Sequence, residues 1–141
     1  MTRLHLHHVH LFTGDIHRTV DWWVMHLGAV VAFDGVMANS RNVFLRVGDG
    51  RLHLYDQRPK GHDKNALHHV GIRVENLARL VGEMAAAGIE FRNPIREFGG
   101  WSYAMCMAPD NVLLELFQVD EGELTGSLGD YFADGSRFSG E

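Results

Sequence analysis

Four side chains able to hold a divalent cation stand at matched places in this chain: His8 and His53, then His69 and Glu115. The first members of the two pairs lie in one tetrapeptide, "LHHV", which occurs at Leu6–Val9 and again at Leu67–Val70, 61 positions later. Imidazole nitrogens suit Zn, Ni, Fe and Co, and a carboxylate adds a negative charge that also accepts harder ions such as Mn. Taken singly, each His is more often a hydrogen-bonded core or surface residue. Duplicated positions and a shared strand face favour one divalent metal ion held by His8, His53, His69 and Glu115.

The elements that must position these groups repeat as well. "HLHHVHLF" alternates like a strand with one apolar face. In "DIHRTVDWWVMHLG", Asp15 is the expected N-cap, Ile16, Val20, Trp23 and Leu27 follow helical spacing, and Gly28 is the stop. "AVVAFD", "RNVFLRV" and "RLHLYDQ" read as strands, the last two joined through the "GDG" turn. After the polar connector "RPKGHDKNA" (58–66) the order restarts with "LHHVGIRV". Asn76 caps a helix carrying Leu77, Leu80, Val81 and Met84 on one face, with Gly88 as its stop. "IEFRNPI", "WSYAMCMA" and "VLLELFQV" supply three more strands. Asp15 and Asn76, Ile16 and Leu77, and Arg18 and Arg79 all share the offset of 61. The expected architecture is α+β, two tandem βαβββ modules (4–57 and 67–119) in one domain over 1–119. A flexible Gly/Ser/Asp-rich tail, 120–141, follows.

Strand parity then sorts the side chains. Val9 and Leu11, Leu52 and Leu54, Val70 and Ile72, and Leu114 and Leu116 form the faces on which the helices pack. His8, His53, His69 and Glu115 fall on the other faces. A slip of one residue would present His7 and His68 instead, but it would also turn the apolar set away from the helices. His10, Tyr55, Arg73 and Phe117 lie one step along the same strands and are candidate pocket residues. Arg73 suits a substrate carboxylate, with a salt bridge as the equal alternative. Trp101, after "FGG", and Tyr103 join this set. Trp22 and Trp23 read as core or interface, and Cys106 as a small buried residue.

Composition narrows the function classes. A formal charge of −5 and no Lys/Arg run argue against nucleic acid or an anionic membrane as partner. One cysteine permits no internal disulfide, and the His-rich start interrupts any signal-peptide core, so a cytoplasmic protein is expected. No apolar run reaches transmembrane length.

The segments "HHVHLFTGDIHRTVDWWVMHLGAVV", "HHVGIRVENLARLVGEMAAAGIEF" and "APDNVLLELF" resemble the vicinal oxygen chelate superfamily over about residues 4–119. That group includes glyoxalase I, methylmalonyl-CoA epimerase, type I extradiol dioxygenases, and fosfomycin- and bleomycin-resistance proteins. The resemblance implies paired modules forming a cup around a divalent metal, with His8, His69 and Glu115 as ligands. It puts His53 where many members have Glu or Gln. It also implies a small-molecule substrate and a homodimer. The glyoxalase-like expectation is a lyase or isomerase acting through an enediolate, with Glu115 and His53 able to exchange protons. For a dioxygenase, "GGWSYAMCMAPDNVLLE" lacks the expected His, and Met105 stands where Tyr belongs. For a phosphonate-binding enzyme, only Arg51 and Arg73 are basic on the pocket face. A metal-free drug-binding protein is the third reading, although such proteins generally lose the ligand set.

Overall fold

A computed structural model describes residues 7–59 and 67–126, and the chain divides into two compact units, Met1–Asn65 and Ala66–Glu141. In the first unit, strand β1 (Val9–Thr13) leads into helix α1 (Ile16–Leu27), then β2 (Val30–Met37), β3 (Ser40–Val47) and β4 (Gly50–Asp56). The second repeats this with β5 (Val70–Arg73), α2 (Leu77–Ala86), β6 (Arg96–Phe98), β7 (Trp101–Ala108) and β8 (Val112–Val119). Each forms a four-stranded mixed sheet, β1-β4-β3-β2 and β5-β8-β7-β6, so the first strand of a unit lies beside its last. Those two pairs, β1 with β4 and β5 with β8, are parallel, and all others are antiparallel. This is the expected βαβββ pattern, twice.

Local chemistry explains the elements. The Asp15 carboxylate accepts from the Arg18 backbone N–H at 3.1 Å, and Asn76 does the same for Arg79 at 3.1 Å. Each satisfies a donor that the first helical turn leaves open. Gly28 closes α1 in the left-handed region at φ 63°, where a Cβ would be strained. Val43, Leu45, Leu52 and Leu54 are buried under α1, with Ile16 and Trp23 buried on the helix side. Leu114 and Leu116 pack under α2 with Leu77 and Met84. On β7 the buried positions are small, Ala104, Cys106 and Ala108. The buried Thr13 and Thr19 hydroxyls bond to each other at 2.6 Å, tying β1 to α1. The α2 start is fastened to β8 through the Gln118 side-chain carbonyl, which accepts from the Leu77 N–H at 2.7 Å.

Three expectations are adjusted. β1 and β5 begin at Val9 and Val70 because their ladders with β4 and β8 begin there, so His8 and His69 immediately precede the strands. "IEFRNPI" is not a strand, since Pro94 has no N–H for a ladder and restricts Asn93; the short β6 forms just after it. The beginning of the tail turns back on the second unit: Asp120 N–H donates to the Gly100 carbonyl at 2.8 Å. Most of the connector (60–66) and the rest of the tail (127–141) lie outside the described residues. No helix among the described residues is long and apolar enough to cross a membrane.

Leu54 is fully buried. Leu54→Ala is expected to cost about 2–5 kcal/mol of stability, read as a lower urea midpoint with an unchanged slope.

Candidate metal centre

In the second unit, β8 carries Glu115 in register with Gly71 on β5 and Met105 on β7. Gly71 has no side chain to cover the carboxylate; a Cβ there would meet only the Phe117 ring, at 3.5 Å. His69, two residues ahead of Gly71, reaches into that opening, and its Nε2 lies 3.6 Å from Glu115 Oε2. This is long for a hydrogen bond. It is close to the separation of about 3.4 Å between two donors on one tetrahedral ion with bonds of roughly 2.0–2.2 Å. His69 keeps 33% of its side-chain surface and Glu115 18%, so both are sheltered yet open to a ligand. The pair fits a divalent cation.

The first unit differs at the equivalent place. The register partner of His53 on β1 is His10, and the rings stack at 4.3 Å with an angle of 12°. Phe44 on β3 meets the His53 ring edge-on at 4.4 Å, and the His8 ring stands 6.0 Å away. Asn42, buried on the same face, donates through Nδ2 to the carbonyls of Met37 and Ser40, both at 2.9 Å. Its Oδ1 therefore faces His53 and accepts from Nε2–H at 2.6 Å. That bond puts the His53 proton on Nε2 and leaves the lone pair on Nδ1. Burial, then the neighbouring His10 and His8, lower the His53 pKa below its ordinary value. The ring is neutral at pH 7. In this arrangement only Nδ1 is available to a cation.

The remaining candidates divide between the units. Tyr55 donates its hydroxyl to the Ala38 carbonyl at 3.2 Å and stands edge-on to His10. Arg73 is ion-paired with Glu121 at 2.8 Å, so the salt-bridge alternative is the one observed, on a side chain only 14% exposed. Trp101 stacks on Phe117 at 5.5 Å, and Tyr103 stacks on Phe98 at 6.0 Å. Among the described residues no group of three or more His, Cys, Asp or Glu gathers to hold a cation; of the expected ligands His69 and Glu115 come together, while the His8 and His53 rings stand 6.0 Å apart. Cys106 is buried, and that burial pushes its thiol up to about 11.

Sequence reasoning missed Asn42 and Phe44. Their signal was parity: both sit in "RNVFLRV" on the side opposite Val43 and Leu45, and an amide flanked by apolar residues needs internal partners.

A profile of the Glyoxalase/Bleomycin resistance protein/Dioxygenase superfamily matches residues 5–116. No curated protein matches. Among solved structures, the genomically encoded fosfomycin resistance protein FosX from Listeria monocytogenes superposes with TM-score 0.71 at 17% identity, over 86% of this chain and 98% of that one. FosX from Mesorhizobium loti gives 0.65 at 18% identity, over 94% and 99%. A glyoxalase family protein from Enterococcus faecalis gives 0.67 at 26% identity, over 80% and 96%. A point mutant of the Listeria protein was solved with Mn(II) and 1S,2S-dihydroxypropylphosphonic acid.

Asn42→Ala removes the amide's bonds to the Met37 and Ser40 carbonyls and to His53; a loss of about 2–3 kcal/mol is expected in urea unfolding. The lowered His53 pKa also has a pH signature. Below about 6.5, the ordinary His value, the unfolded chain takes a proton that folded His53 refuses, so stability falls as pH drops. Unfolding curves between about pH 7 and pH 5 should show a shallower decline for His53→Gln.

Proposed function

The chain belongs to the Glyoxalase/Bleomycin resistance protein/Dioxygenase superfamily, and from that premise we propose that it is a divalent-metal-dependent enzyme of the glyoxalase type. Its reaction is a lyase or isomerase step on a small α-carbonyl or vicinal-oxygen substrate. The observation that carries this reading is the 3.6 Å approach of His69 Nε2 to Glu115 Oε2 beside the open position at Gly71.

In this reading His8, His69 and Glu115 would hold the ion, and His53 would add a fourth donor. When bound, the cation supplies Lewis-acid polarisation of a carbonyl. The Glu115 carboxylate would take the proton from the adjacent carbon and, as the acid so formed, give it back to the neighbouring atom, becoming a carboxylate again. His53, whose Nε2–H is held by Asn42, would exchange a proton with substrate only through Nδ1, when that atom is off the ion. His10 and Tyr55 in the first unit, and Trp101, Tyr103 and Phe117 in the second, are the residues this reading assigns to substrate contact. Arg73 exchanges Glu121 for a substrate carboxylate. The protein acts as a homodimer, and the exposed apolar side chains of β2, Val30, Val31, Phe33 and Val36, support an association surface.

A second reading is an Fe(II) extradiol dioxygenase. In it His53, whose Nε2–H is held by Asn42, keeps Nδ1 off the ion. Two His and one carboxylate with open positions remain, the usual arrangement for oxygen-activating iron.

Untagged protein should contain close to one divalent ion per chain by elemental analysis. His69→Ala and Glu115→Ala should each lose it while remaining folded. Glyoxalase-type activity predicts isomerisation of the methylglyoxal hemithioacetal, whereas catechol cleavage with Fe(II) under O2 would select the second reading. A metal-free protein active in neither assay would leave a small-molecule binding protein.

A further inference from the structure

The repeated "LHHV" contains two histidines in each copy, and the ligand reading uses one of them. The other is placed with equal care. His68 Nδ1 lies 2.8 Å from His69 Nδ1, and His7 Nδ1 lies 3.0 Å from His8 Nδ1. The rings cross nearly at right angles in both, at 81° with centroids 5.1 Å apart and at 88° with centroids 5.3 Å apart. The same contact therefore occurs in both units. It is kept although the register position two residues later differs, His10 in one and Gly71 in the other.

A neutral imidazole carries one N–H. Two Nδ1 atoms at this distance must be one donor and one acceptor, so each contact couples the tautomers of its two rings. If His69 donates from Nδ1, its lone pair is on Nε2, the atom that faces Glu115. His68 is then the acceptor and carries its own proton on Nε2. The opposite assignment would aim an N–H of His69 at the place a cation needs.

We propose that His68 and His7 are positioning residues that accept a hydrogen bond from Nδ1–H of His69 and His8, fixing the tautomer that presents each ligand's Nε2 lone pair to the ion. This rests on the reading of His69 and His8 as metal ligands. The role is that commonly filled by a carboxylate or backbone carbonyl behind a metal-bound His, and loss of such a partner typically weakens metal affinity about 10–100-fold. Duplication of the tetrapeptide, and not of a single His, follows from this: a ligand and its orienting partner were copied together.

The test uses full-length protein with 15N-labelled histidine. In the metal-free state, two-bond 1H–15N spectra should show His69 and His8 as Nδ1–H tautomers and His68 and His7 as Nε2–H. The reverse assignment overturns the proposal. Competition titration with Zn(II) should then show His68→Leu weakened by about 10–100-fold. His68→Asn should recover most of the affinity, because its Oδ1 stands the same number of bonds from Cβ as the lost Nδ1. Thermal unfolding should show both variants folded, since His68 is exposed. Native affinity in His68→Leu, or complete loss that Asn does not rescue, refutes the positioning role; the second result would make His68 a ligand. If the native protein binds no cation, the ligand reading fails, and the metal-free spectrum still decides the tautomers.

Discussion

Pairing of the first strand with the last, in parallel, is the constraint on which each unit depends. Because side chains alternate across a strand, β4 cannot bury Leu52 and Leu54 under α1 without turning His53 and Tyr55 to the other face. The same holds on β8, where Leu114 and Leu116 go under α2 and Glu115 and Phe117 oppose them. Hydrophobic burial thus supplies the energy that aims the polar groups. The helices repeat the logic through near-identical caps, Asp15 and Asn76.

The two units share a plan and differ where chemistry would need them to. One side chain decides much of this. His10 in the first unit covers His53, which is sandwiched further by Phe44 and held by Asn42. In the second unit the corresponding position is Gly71, and Glu115 is left open to His69. A stacked, neutral imidazole and an uncovered carboxylate suit different tasks. The first is held in one tautomer, with Nδ1 its remaining lone pair. The second can hold a cation or take a proton from a substrate.

Polar residues inside these sheets are satisfied by one another. Asn42 meets two carbonyls and one imidazole, Thr13 meets Thr19, and Gln118 meets the first turn of α2. Such bonds add little net stability each, yet leaving one partner alone is costly, so they confine the side chains to one arrangement. That confinement extends to the site. The Asn42 bond settles which His53 nitrogen carries the proton.

Much was legible in the residue order alone. The twofold βαβββ plan, the helix caps, the buried faces and the opposed set of His53 and Glu115 follow from strand and helix periodicities, which are properties of the backbone. What the order could not supply was contact between residues far apart in the chain. Asn42 seated against His53, Arg73 tied to Glu121, and the stacking of His10 on His53 depend on strand register and neighbouring strands. The expected strand at "IEFRNPI" failed because its apolar letters outweighed Pro94 in the reading, whereas a ladder needs the missing N–H. Periodicity says which face a side chain takes; only tertiary structure decides what it meets there, because hydrogen bonding and ring packing act over a few ångströms between segments that sequence distance does not relate.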